Sequence, residues 1–239
     1  KIKPLTYTCK IKTKNPHIDV RILFKIGYGT IVDQKSIDEF TVQFSSAKIM
    51  KDAMLPTPPY IKRKVNDDEY QTVFEKNEGS LAAPTAGLHF TTRLLEKIRK
   101  KGIIIVNITL HVSYGTFKTI DQEIETYSMD PEWFEISTHT AKTINNRKGK
   151  LIVVGTTTLK ALESSANNGK IYTKKGHSTL FIYPPFEFQS GTDLLITNFH
   201  LPKSTLLLLT CAFGDRKCIL DAYHHAIHHK YRFYSLGDA

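Results

Sequence analysis

The chain has 239 residues, 41% of them hydrophobic, enough to fill a sizeable core in one large domain or two smaller ones. Its 33 Lys and Arg against 23 Asp and Glu give a formal charge of +10, which either attracts a polyanion through counterion release or reflects a lysine-rich solvated surface. Apolar runs fall short of the roughly eighteen residues of a spanning helix, and the opening KIKPLTYTCK lacks a secretory apolar run. Cys9, Cys211 and Cys218 are too few and scattered for a disulfide framework or zinc knuckle, so a cytoplasmic protein with no membrane association is expected.

In chain order, residues 1–54 read as short β segments, YTCKIKT, DVRILFKIGYG and FTVQFSS, forming a small sheet or partial barrel. The proline-rich LPTPPYIKRK then serves as an extended connector, with a domain boundary near Leu55. From there to Ala239 strands alternate with helices, the signature of an α/β domain. TTRLLEKIRKKG has a Thr start signal, apolar Leu94, Leu95 and Ile98, a basic last turn and Gly102 as a stop. IIIVNITLHV predicts a nearly continuous buried strand. LIVVGTTTLKALESSA repeats strand, turn and helix, as do DLLITNF, HLPK and STLLLLTCAFG, before a helix over DAYHHAIHHKY.

In open α/β sheets ligands bind at the carboxyl ends of strands, and polar clusters recur there. GTTTLK sets Thr156, Thr157 and Thr158 at a helix start, suited to a carboxylate or phosphate, or simply to capping. In TNFHLPKST, Ser204 or Thr205 caps a helix, which leaves Asn198, His200 and Lys203 together without a structural reason. AAPTAGLHF brings small residues around Gly87 and ends on His89, and TLHVSYGTF delivers His111; each histidine is a proton carrier or a satisfied core residue. His224, His225, His228 and His229 make two i, i+4 pairs, but no carboxylate or Cys motif accompanies them, and a solvent-facing helix with no metal is expected. YRFYSLGDA, with Tyr231 and Arg232, either stacks on a base and clamps a phosphate or anchors the terminus.

The ordered stretches LPTPPYI, YQTVFEKNEGSLAAPTAGLHFT, ITLHVSYGTF, EWFEI, VGTTTLKALES, FIYPPFEF, TNFHLPKSTLLLL and YRFYSLGDA closely resemble the S-adenosylmethionine:tRNA ribosyltransferase-isomerase family of queuosine biosynthesis. The resemblance implies an α/β large domain interrupted by a small inserted β-barrel domain. It places residues 1–54 in a partial barrel and 55–239 in the catalytic domain, with the first part of the large domain missing from the sequence. One departure stands out: in ETYSMDPEWFEI, Tyr127 and Asp130 occupy positions where the family carries histidines around a methionine, while Glu132 keeps its place.

The activity so implied joins the aminomethyl group of a deazaguanine at the tRNA wobble position to the ribose of S-adenosylmethionine, releasing adenine and methionine and leaving epoxyqueuosine. S-adenosylmethionine is the ribosyl donor, tRNA with a queuosine-type anticodon the partner, and no metal is required; a monomer is expected. The sulfonium acidifies the neighbouring ribose carbon, so a base is needed there and a proton donor at the departing adenine. His89, His111 and His200 are the histidines within family motifs and the candidates for proton transfer. Glu132 is the carboxylate candidate for the sulfonium or the base's ammonium, or a surface ion pair. Thr156 and Thr157 would receive the methionine carboxylate, Pro84, Thr85 and Gly87 would wall an adenine or base pocket, and Asn198, Lys203, Tyr231 and Arg232 would contact substrate. A tRNA-binding homologue without catalysis is the rival reading. An unrelated methyltransferase fits poorly, because no GxGxG loop follows a strand.

Overall fold

Alternation of β-branched and aromatic residues with polar ones builds four strands near the N-terminus, β1 (Leu5–Lys10), β2 (Arg21–Phe24), β3 (Gly27–Gln34) and β4 (Glu39–Phe44), in a computed structural model of the chain. It describes residues 5–11, 15–37, 39–52, 58, 60–61, 65, 67–77, 79–113, 115 and 119–239. The four strands pair antiparallel in the order β1-β4-β3-β2 around buried Ile31, Phe40 and Val42. Among the described residues β1 and β2 remain the two edges, so of the small sheet or partial barrel expected this is an open sheet, and no closed barrel forms among them. The chain divides into two compact units, Lys1–Met54 and Leu55–Ala239. The LPTPPYIKRK connector lies largely outside the described residues.

The second unit contains α1 (Asp67–Tyr70), α2 (Thr92–Lys100), β5 (Thr109–His111), β6 (Glu132–Ile136), α3 (Thr138–Asn145), β7 (Ile152–Val154) and α4 (Thr156–Glu163). The short strands β8 (Ala166–Asn167), β9 (Lys170–Ile171), β10 (Lys174–Ser178) and β11 (Leu194–Ile196) follow, then α5 (Thr205–Gly214) and α6 (Arg216–His228). The helix starts are those the sequence marks: the Thr91 side chain accepts from the Leu94 N–H to cap α2, and Ser204 caps α5 through Leu207 N–H.

The strands do not form one doubly covered parallel sheet. β7 and β11 make a parallel pair, while β10, β6 and β5 form a separate antiparallel sheet, so the α/β unit is mixed. The long strand expected over IIIVNITLHV shrinks to Thr109–His111, and Ile103 and Ile104 are exposed. An apolar run supplies hydrophobicity but no pairing partner, and of its residues only Thr109, Leu110 and His111 pair with β6. Phe134, Ile136, Val153, Leu159, Leu162 and Leu209 form the central core where the two small sheets meet α4 and α5. Among the described residues no helix is long and apolar enough to cross a membrane.

Candidate functional site

β7 and β11 run side by side in the register Ile152↔Leu194 to Val154↔Ile196 and end at the same level, each feeding a helix. Gly155, at φ 92°, turns the first strand into α4 and occupies its N-cap; no side chain caps this helix. The N-cap role weighed for Thr156, Thr157 and Thr158 therefore falls to Gly155, which has no side chain to satisfy the first N–H groups of α4.

Above these strand ends lies a cleft of about 60 Å³. Pro84, Thr85, Thr156, Thr157, Asn198 and His200 all line it, joined by Tyr60, Tyr234 and Ser235, which sequence reasoning did not single out. Asn198 is buried and links two elements: its Oδ1 accepts from Thr85 Oγ1 at 3.3 Å and its Nδ2 lies 3.0 Å from His89 Nε2. His89 itself is exposed at the end of a 3₁₀ turn, Thr85–His89, with a free path to solvent. Gly87 serves packing, since a Cβ there would come within 3.1 Å of Thr72 Cγ2 and 3.2 Å of Phe74 Cδ2.

His200 is a different kind of histidine. It is buried, its Nε2 lies 3.1 Å from Thr197 Oγ1, and its backbone N–H donates to the Tyr223 hydroxyl at 2.7 Å. Desolvation pulls its pKa from 6.5 down to about 4, so it lines the cleft as a neutral ring. His111 packs on Trp133 with ring centres 4.7 Å apart, outside the residues that line the cleft, and its buried Nδ1 has no partner among the described residues.

Glu132 is not on the surface. Along β6 burial alternates, placing Glu132 on the same inward face as Phe134 and Ile136. There it pairs with Lys160 of α4, both nearly fully buried, and its Oε1 accepts from Ser113 N–H at 3.1 Å. Lys160 was not foreseen, yet Thr156, Lys160 and Glu163 form a buried polar stripe at helical spacing that was visible in the sequence. The pair walls a second, tighter cavity of about 10 Å³ that shares Thr156, Thr157 and Leu206 with the cleft. Met129 lines it too, and Tyr127 packs on its wall residue Phe181 at 5.1 Å, while Asp130 lies against Gly115.

The remaining candidates sit apart. Lys203 is exposed at φ 55°, with its carbonyl accepting from Ile120 N–H, and does not line the cleft. Tyr231 is 46% exposed, edge-on to Phe199. The Arg232 guanidinium is engaged by Asp238, at 2.5 Å from Nη2 and 3.1 Å from Nε. These hydrogen bonds hold the Asp238 carboxyl below its ordinary range. Phe233 stacks on Phe199 at 4.7 Å, so the C-terminal aromatics anchor the chain end. His224, His225 and His228 on α6 and His229 at its C-cap are exposed, and among the described residues no cluster of three or more His, Cys, Asp or Glu is placed to hold a metal. Cys9, Cys211 and Cys218 are free thiols.

These elements define a mixed α/β unit with a cleft at paired strand ends, the position where α/β folds place their ligand sites. The family described as Queuosine biosynthesis protein matches residues 3–239, and the chain belongs to it. It is 50% identical over 192 residues to the S-adenosylmethionine:tRNA ribosyltransferase-isomerase of Finegoldia magna, covering 77% of this chain and 55% of that protein. With the protein of that name from Sulfurihydrogenibium it shares 47% identity over 234 residues, 95% of this chain and 68% of the relative. The crystal structure of the S-adenosylmethionine tRNA ribosyltransferase of Thermotoga maritima matches with a TM-score of 0.51 at 27% identity, covering 91% of this chain and 62% of that one. The chain thus spans between about half and two thirds of the length of these relatives.

Proposed function

We propose that the chain carries the S-adenosylmethionine:tRNA ribosyltransferase-isomerase activity named for its relatives, transferring and isomerising the ribosyl group of S-adenosylmethionine onto 7-aminomethyl-7-deazaguanine at the tRNA wobble position. The observation that carries this reading is the convergence of Pro84, Thr85, Thr156, Thr157 and Asn198 on one cleft, with His89 held at its edge.

In this reading the donor lies across the uncapped start of α4, and the wobble base enters beside His89, the exposed end of the network. His89 moves protons between the ribose carbon next to the sulfonium and the departing adenine, a role its accessibility permits. His200, neutral and buried, shapes the cleft wall and takes no part as an imidazolium. His111 supports the Glu132 strand through Trp133. Lys203 and Tyr231, both exposed, meet the tRNA outside the cleft. The net charge of +10 draws the tRNA in, and the enzyme works as a cytoplasmic monomer by chemistry that calls for no metal.

Incubating the purified chain with S-adenosylmethionine and tRNA bearing the aminomethyl base tests the proposal. Adenine release together with the mass of epoxyqueuosine is the expected outcome. Salt-sensitive tRNA binding without adenine release would instead assign the chain to binding alone.

A further inference from the structure

A row of three aromatic rings crosses the end of the small N-terminal sheet. Phe44, the last residue of β4, stands opposite Leu5 of β1 and Gly29 of β3. A Cβ at Gly29 would lie 3.2 Å from the Phe44 ring, so the glycine lets that ring lie across β3. The Phe44 ring centre is 5.7 Å from that of Phe24 on β2 and 5.8 Å from that of Tyr7 on β1. These neighbours meet Phe44 at 49° and 69°, not face to face, which leaves ring faces for another aromatic group. Phe24 and Tyr7 are 42% and 46% exposed.

The row lies in the more basic of the two units. Residues 1–54 hold ten of the 33 Lys and Arg but five of the 23 Asp and Glu, and so half of the net charge of +10 in less than a quarter of the chain. Lys25, in the turn between β2 and β3, and Lys48, in the 3₁₀ turn Ala47–Asp52 that follows Phe44, are exposed at this end of the sheet. Neither forms an ion pair among the described residues.

The geometry points to a stacking platform for unpaired bases of RNA, with Tyr7, Phe44 and Phe24 meeting base faces and Lys25 and Lys48 meeting the phosphates. Every base has a π-face, so such rings hold a single strand whatever its sequence while the cations track its backbone. A duplex hides those faces and gains from the charge alone. A protein partner would account for the rings but not for the lysines, which are depleted at protein interfaces. The inference rests on the reading of RNA as the partner of this chain; none of these residues lines the cleft at the ends of β7 and β11.

Tyr7→Leu combined with Phe24→Leu removes two π-faces and keeps apolar bulk at exposed positions, so the fold should hold. Fluorescence anisotropy of the whole chain compares two labelled RNAs of equal phosphate number, a hairpin with an unpaired loop and a blunt duplex. In the double variant, affinity for the hairpin should fall about tenfold or more, with affinity for the duplex unchanged. Lys25→Ala should lower the slope of log affinity against log salt for the hairpin by about 0.7. Equal loss for both RNAs, or loss for neither, overturns the inference. Phe24→Trp covers the case in which the double variant unfolds: its added emission should be quenched by the hairpin and not by the duplex, and unquenched emission overturns the platform. Ring-dependent self-association, or ring-dependent binding to vesicles of anionic phospholipid, with hairpin affinity unchanged, assigns the rings to a second copy or a membrane and also overturns it. Hairpin binding that needs the rings, in a chain that releases no adenine, keeps the platform and discards the activity reading. Adenine release with hairpin binding indifferent to the rings does the reverse.

Discussion

Asn198 donates from Nδ2 to His89 Nε2 across 3.0 Å while its Oδ1 accepts from Thr85 Oγ1 at 3.3 Å. An amide nitrogen has only protons to give, so Nε2 is the acceptor and the neutral ring of His89 carries its proton on Nδ1. Thr85 holds the amide in that orientation, which makes Asn198 and Thr85 positioning residues for His89. Asn198→Ala should lower turnover on the order of tenfold to a hundredfold, part of what a well-placed proton carrier supplies. Nitrogen-15 NMR of the labelled ring is the independent check. The Nδ1–H tautomer should dominate in the parent and give way to a mixture in the variant, and an unchanged ring spectrum would show that Asn198 does not set the tautomer.

The Glu132–Lys160 pair makes an asymmetric prediction about stability. Lys160→Met takes the buried lysine from the buried Glu132 carboxylate and should cost about 3–5 kcal/mol. Adding Glu132→Leu removes the stranded charge, so the double variant should recover most of that loss. Urea denaturation of the four proteins in the cycle reads this directly. Purely additive losses would mean that the two groups are not coupled in the folded state.

Burial of His200 predicts a pH dependence. The folded state holds this ring neutral down to about pH 4, whereas the unfolded chain protonates near 6.5. Below 6.5 the unfolded state therefore binds the extra proton, and stability falls as pH drops from 6.5 towards 4, by up to roughly 3 kcal/mol from this group, and then levels off. Denaturation midpoints compared at pH 7 and pH 5 should show the loss in the parent and a shallower loss in His200→Gln. An equal slope in both proteins would assign the acid sensitivity to other groups.

Much of the helix framework was legible because its signals are local. Thr91, Ser204 and the Gly155 turn announce α2, α5 and α4 within a few residues each. Strand partners were less legible, because register is decided across the fold. The run beginning at Ile103 reads as a long strand, but β6 offers a partner only from Thr109 onward. In the candidate site, Thr156, Thr157, Asn198 and His200, which follow strands, line the cleft while His111 and Lys203 do not, and Lys160 was missed because its partner lies 28 residues away on β6. Arg232 read as a free cation for the same reason, since its carboxylate, six residues on, meets it only because the terminus loops back.

That loop yields a prediction about tRNA contact. Arg232 gives Nε and Nη2 to Asp238, its backbone N–H donates to Asp238 Oδ2 at 2.9 Å, and the Asp238 N–H returns a bond to the Arg232 carbonyl at 2.8 Å. Gly237 allows the closure, because a Cβ there would lie 2.4 Å from the Arg232 carbonyl oxygen, a backbone atom that cannot rotate away. A guanidinium so engaged has little left for a phosphate. Arg232→Ala should therefore change the slope of log affinity for tRNA against log salt by much less than one, while Asp238→Ala, which frees the guanidinium, should steepen it by about 0.7 to 0.9. A fall of nearly a full unit in Arg232→Ala would show that the clamp opens on binding and that Arg232 holds a phosphate after all.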